Sequence, residues 1–179
     1  MGEIKKVIPV KIFCGLIYSE EKLVEKVKKL LCKKFGEIDF VIGPFLFNFT
    51  DYYEKEMGKN LKRMFFSFKR PVIPEKIYRW KIYTNKIEQK FYEENLRKVN
   101  IDPGYIDLSK VVLLSTKDFS HRLHLGKGIY GEITLKFEKG SFVFLPWTYP
   151  DYKTENYLNF FRKIREIYKT FLNEKKDVC

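Results

Sequence analysis

The sequence contains no alanine, a single glutamine (Gln89) and only seven arginines, against 28 lysines and 16 glutamates. The shortage of arginine weakens the obvious reading of a net charge of +12. Phosphate and base recognition leans on the planar guanidinium fork, which lysine cannot reproduce. The lysines are densest over 22–34, 55–70 and 163–176, where apolar or acidic residues interleave them. That is the pattern of solvated faces, and it speaks more for solubility than for an evolved polyanion surface. Cysteine is also scarce: Cys14, Cys32 and Cys179 are odd in number and far apart, which excludes a disulfide framework and a CxxC metal knuckle. No stretch approaches the roughly 18 apolar residues of a membrane helix, and Met1–Val7 leads into no signal-like apolar run. The expectation is a cytoplasmic protein with no membrane partner. With 45% hydrophobic residues the chain is not disordered, and no repeat, linker or shift of composition divides it. One domain over 1–179 is expected.

The patterning predicts an α+β fold, one mixed, mostly antiparallel sheet with about three helices packed on it. Residues 7–18 read as a strand. Ser19 then caps a helix with Leu23, Val27, Leu30 and Leu31 on one face, closed by Gly36. Strands follow at 39–42 and 45–49, broken at Gly43 and Pro44, with Phe45, Phe47 and Phe49 alternating onto one face. If the first two strands are neighbours, their crossover is right-handed. Asp51 and Glu54 have capping-box spacing, and 61–69 is extended again. A helix over about 75–94 carries the stripe Ile77, Trp80, Thr84, Ile87 and Phe91. Asp102, Pro103 and Gly104 read as a turn, with Asp102 bonding its own backbone. Residues 110–117 are an apolar run, 120–125 and 129–137 form a hairpin about Gly126–Gly128, and 142–145 is a further strand. An aromatic loop, 147–152, precedes an amphipathic helix over about 155–172.

Several familiar sites fail on spacing. Gly126 and Gly128 match neither a P-loop nor a dinucleotide fingerprint, and no Gly-x-Ser-x-Gly elbow exists. Thr116-Lys117-Asp118 lacks the residue that separates lysine from aspartate in the base-reading motif of GTPases. His121 and His124 are three apart, which on a strand sends them to opposite faces, so no metal ligands are assigned. A three-residue hairpin loop pairs Arg122 with Glu132 and His124 with Tyr130. It gathers Arg122, His124, Tyr130, Glu132 and Thr134 on one face and leaves Leu123, Leu125, Ile129, Ile133, Leu135 and Phe137 on the other. The bland counterpart is an exposed cross-strand salt bridge worth well under about 1 kcal/mol.

The segments PVKIFCGLIYS (9–19), FNFTDYYEKEMG (47–58), VNIDPGYIDLSKVVLLSTKDFSHRLHLGKGIYGEITL (99–135) and LPWTYPDY (145–152) resemble the bacterial family catalogued as domain of unknown function 4416. The likeness spans nearly the whole chain. It implies no particular activity. The motif residues it matches are Asp51, Asn100, Asp102, Lys117, Asp118, His121, Arg122, Glu132 and Asp151, whereas His124 and Lys127 are less typical.

These residues define the expected site. Lys117, His121 and Arg122 suit an oxyanion, and Asp118, His121 and Glu132 are the candidate catalytic groups. Asp102, Lys117, Arg122, Trp147, Tyr149 and Asp151 are the candidate ligand contacts, with Trp147 or Tyr149 stacking on a planar part. The expected partner is a small anionic molecule, phosphorylated or nucleotide-like, bound or processed in one pocket. The alternatives are a sequence-tolerant binder of single-stranded RNA or other nucleic acid, and a protein-interaction subunit. The sequence names no cofactor and does not settle oligomeric state or whether the domain is an enzyme.

Overall fold

The computed structural model describes residues 2–176; Cys179 lies outside the described residues. Eight strands form one antiparallel sheet: β1 (Lys11–Tyr18), β2 (Ile38–Leu46), β3 (Lys62–Phe68), β4 (Val99–Ile106), β5 (Lys110–Ser115), β6 (Leu123–Gly126), β7 (Ile129–Glu138) and β8 (Ser141–Phe144). The helices are α1 (Val24–Phe35), the short α2 (Glu54–Met57), α3 (Tyr78–Gln89) and α4 (Glu155–Lys176). The sheet runs β2-β3-β1-β4-β5-β7-β6, with β8 also on β7. The α+β class holds, and every pairing among the described residues is antiparallel. No helix among them is long and apolar enough to cross a membrane.

The period-2 alternation of the central strand sorts its side chains between two cores. Ile12, Cys14, Leu16 and Tyr18 join α1 and α3 on one face of β1, while Phe13 joins α4 on the other. A smaller cluster of Ile17, Phe47, Met57 and Leu61 closes the end beside α2. α3 is shorter than the expected 75–94, but Ile77 just before it and Trp80, Thr84 and Ile87 within it are buried as the stripe demands, while Phe91 falls beyond its end and is half-buried.

Several local expectations fail. Ser19 caps no helix: a 3-10 turn over Glu21–Leu23 leads into α1, and neither is capped by a side-chain bond. β1 and β2 are not neighbours, because β3 inserts between them and β2 pairs with β3. Gly43 and Pro44 do not end β2, which bulges there around a cis Gly43–Pro44 bond and stops at Leu46, so Phe47 and Phe49 leave the strand. Asp51 makes no capping bond to α2. Asp102-Pro103-Gly104 is no turn; it lies inside β4.

That last error exposes the feature that shapes the molecule. β4 and β5 pair only between Gly104–Ile106 and Val111–Leu113. Earlier in β4, residues 99–103 stay on β1, and Leu114 and Ser115 stay on β7, so the sheet forks. Strand polarity alternates, so Ile101 and Pro103 turn their backbone groups toward the missing neighbour. Pro103 has no N–H to strand there. Ile101 has both groups, and α3 supplies them with partners: Ile101 N donates to Glu88 Oε1 at 2.7 Å, and Lys81 Nζ donates to Ile101 O at 2.9 Å. Where the strands rejoin, a Cβ on Gly104 would stand 2.4 Å from Val112 O and 2.6 Å from the Phe13 ring, so only glycine fits.

Candidate functional site

A cleft of about 680 Å³ opens in this fork. Eight of the nine candidate residues line it: Asp102 from β4, Lys117, His121 and Arg122 from the turn after β5, Glu132 from β7, and Trp147, Tyr149 and Asp151 from the loop before α4. The ninth, Asp118, is exposed and does not line it.

One wall is built around Glu132. Its buried carboxyl group accepts from Arg122 Nε at 2.6 Å and Thr134 Oγ1 at 3.2 Å, and it stands 3.1 Å from His121 Nε2. Arg122 goes on to donate from Nη1 to Ser115 Oγ and Lys117 O, and from Nη2 to Tyr149 OH at 2.6 Å. Four of its five N–H groups are thus used inside the protein, which makes it a brace for the wall. The ring of His121 is sandwiched between Trp147, stacked at 5.0 Å and 11°, and Phe119 at 6.0 Å and 19°. Trp147 is itself pinned by a bond from Nε1 to Ile133 O. Burial and the neighbouring Glu132 push the Tyr149 phenol up to about 12, so it stays a neutral hydroxyl.

The expected register of the hairpin is only partly observed. His124 opposes Tyr130 and Leu123 opposes Gly131, but Gly126, not Leu125, opposes Ile129. A second bulge skips Thr134 in the β5–β7 ladder. This inversion returns Leu135 to the α4 core on the side of Glu132, while Ile133 and Leu123 stay exposed. His124 packs on Tyr130, away from His121. Among the described residues no group of three or more His, Cys, Asp or Glu side chains is placed to hold a metal ion.

The floor is a chain of alternating charges. Arg63, 2% exposed, donates to Asp102 Oδ2 at 3.1 Å and to Tyr152 OH at 3.0 Å, and its Nε has no partner. Lys81 Nζ stands 3.6 Å from Asp102 and 3.9 Å from Glu88. Arg97 lies 3.8 Å from Glu88 and bonds Glu56 and Asn100. Burial alone would raise the Asp102 carboxyl, but Lys81 and Arg63 hold it below the usual range. Glu88 is raised, burial outweighing Lys81 and the Ile101 amide. Asp151 is raised as well, by burial and by Asp102, against the pull of Arg63. The cleft therefore holds one aspartate lowered and one raised from the usual carboxylate value, the kind of separation that divides acid from base roles in a single site.

Arg63, Lys81, Glu88 and Arg97 escaped the sequence reading. Their signals were faint: an arginine sharing a strand face with Phe65, and a Lys and Glu on the same helical face as Thr84. The gap in the sheet that calls them together is not written in any local pattern.

The model of one family, domain of unknown function (DUF4416), matches residues 8–168, and the chain belongs to that family. No curated protein and no solved structure matches it.

Proposed function

We propose that this DUF4416 domain binds a small anionic molecule in the forked cleft, and that the acid–base groups lining it act on that molecule. The observation supporting this most is the convergence of eight candidate residues, from four separate chain segments, on one cavity. Its volume falls within the roughly 300–1,000 Å³ of ordinary ligand sites. The floor charges and the Arg122–Glu132 pair neutralise one another, which leaves Lys117 as the exposed cation at the mouth. Its ammonium rests on Tyr52, 2.9 Å from the hydroxyl, and is free to turn to an anion. The half-exposed edges of Trp147 and Tyr149 suit the planar part of a phosphorylated, nucleotide-like ligand.

A thermal-shift screen over nucleotides, sugar phosphates and inorganic phosphate tests the reading. A hit that Lys117→Ala weakens at least tenfold supports it; no stabilisation by any of them removes it. One observation favours nucleic acid instead: Tyr52 and Phe119 are 56% and 55% exposed beside Lys117, as on a stacking platform. Salt separates the two, because binding to single-stranded RNA weakens steeply with ionic strength through counterion release and a single pocketed anion responds less.

A further inference from the structure

We propose that His121 is the proton acceptor of the cleft, a general base that presents Nδ1 to the ligand while Glu132 and Arg122 position it. The proposal rests on the cleft being a ligand site. Glu132 Oε2 accepts from Arg122 Nε at 2.6 Å, and this ion pair makes the same oxygen an acceptor toward the histidine. The ring nitrogen bonded to it at 3.1 Å, Nε2, must then carry the hydrogen. Nδ1 is left with its lone pair. It has no hydrogen-bond partner among the described residues and is not among the buried polar atoms that lack one, so it is open to solvent on a ring that lines the cleft.

The surroundings fix the ring in place. Phe119 and Trp147 clamp its two faces, Glu132 fixes one edge, and Arg122 fixes Glu132. The turn that carries His121 also carries Lys117 and Asp118, and Arg122 ties it to the Lys117 carbonyl and the Tyr149 hydroxyl. A carboxylate–imidazole pair of this kind is the orienting half of a catalytic triad. No nucleophilic side chain contacts Nδ1, so the atom it deprotonates is a water or a hydroxyl of the ligand. In that step the O–H bond breaks, its electron pair stays on oxygen, and the proton passes to Nδ1. The oxygen then forms a bond to the electrophilic centre of an ester, whose leaving group departs with the electrons of the broken bond. Glu132 offsets the imidazolium charge until the proton is released to the leaving group or solvent.

The two histidines make a built-in comparison. The Gly128 amide donates to His124 Nε2 at 3.3 Å, so neutral His124 carries its hydrogen on Nδ1, the opposite tautomer. Long-range 1H–15N spectra of the labelled wild-type chain are expected to show the Nε2–H form for one ring and the Nδ1–H form for the other, with the first signal lost in His121→Gln. Glu132→Gln, which removes the fixed acceptor, is expected to mix the tautomers of His121. With p-nitrophenyl acetate as probe, release of p-nitrophenolate is expected to fall at least tenfold in His121→Gln and to stay within twofold in His124→Gln. A proton on His121 Nδ1 in the wild-type spectrum, or an unchanged rate in His121→Gln, overturns the proposal. None of these readouts uses an anionic ligand. An empty thermal-shift screen with the expected tautomer and turnover therefore removes the anion and keeps the base, and a screen with hits but the wrong tautomer does the reverse.

Discussion

Glu88 and Ile101 are joined by a bond that stands in for a strand: the Ile101 amide donates to Glu88 Oε1 at 2.7 Å on the side where β5 has parted from β4. Lys81 caps the matching carbonyl. One helix thus holds the fork open by meeting the backbone demands that the sheet leaves unmet. Glu88→Ala would strand a buried amide and take a counter-charge from Lys81 and Arg97. We expect a loss of about 3 kcal/mol. Glu88→Gln keeps an acceptor for the amide, and the expected loss is about 1 kcal/mol. Urea denaturation followed by circular dichroism measures both; equal losses would mean that the backbone bond contributes little.

The buried guanidinium of Arg63 depends on a missing side chain. A Cβ at Gly15 would lie 2.6 Å from Arg63 Nη2, 2.9 Å from Cζ and 3.0 Å from the Phe65 ring. Gly15→Ala must push Arg63 off Asp102 or Tyr152, at an expected cost of about 2 kcal/mol. Arg63→Met frees the space, so adding Gly15→Ala to it should cost less than Gly15→Ala alone. A double-mutant cycle with a coupling below about 0.5 kcal/mol would refute that dependence.

Most element types were legible because strand and helix periods are local: Ile77, Trp80, Thr84 and Ile87 bury as their spacing demands. Eight of the residues lining the cleft could be nominated because they fall in the motif segments, the hairpin and the aromatic loop, whereas Arg63, Lys81, Glu88 and Arg97 could not. What stayed hidden depends on partners distant in sequence. Asp102-Pro103-Gly104 has turn composition, yet it forms a strand, because the absent N–H of Pro103 falls where β4 has no partner and the bare Gly104 admits Val112. The bulge at Thr134 likewise answers the packing of Leu135 into the α4 core and leaves no trace in the alternation of β7.

Asp102 and Asp151 impose opposite pH dependences on stability. The Asp102 carboxyl is held below its unfolded value near 3.9 by Lys81 and Arg63, so its contribution is present above that value and is lost as the pH falls through the folded one. Asp151 is raised, so its contribution is full below about 3.9 and is given up as the pH rises through the folded value. Asp151→Asn should therefore gain on the wild type as the pH climbs from about 3.5 to neutrality, while Asp102→Asn should lose ground over the acidic part of that range. Urea unfolding at a series of pH values tests both signs. A wild-type advantage at pH 7 that exceeds the one at pH 3.5 would contradict the Asp151 assignment.

Trp147 offers an optical readout of the same cleft. Its indole is nearly parallel to the His121 ring, with centroids 5.0 Å apart, whereas the second tryptophan, Trp80, is buried against Phe35 in the other core. An imidazolium in van der Waals contact takes an electron from an excited indole far more readily than a neutral imidazole does. Protonation of His121 should therefore quench Trp147 and leave Trp80 bright. The expected result is an emission that drops on acidification in the wild type and in His124→Gln, with the drop abolished in His121→Gln and in Trp147→Phe. A ligand bound against Nδ1 changes the charge and the bonding around the ring, so any hit from the thermal-shift screen that reaches this atom should move the quenching transition. A hit that leaves the transition where it was binds elsewhere in the cleft, and an acid quench that survives His121→Gln would mean that the stacked pair does not govern the emission.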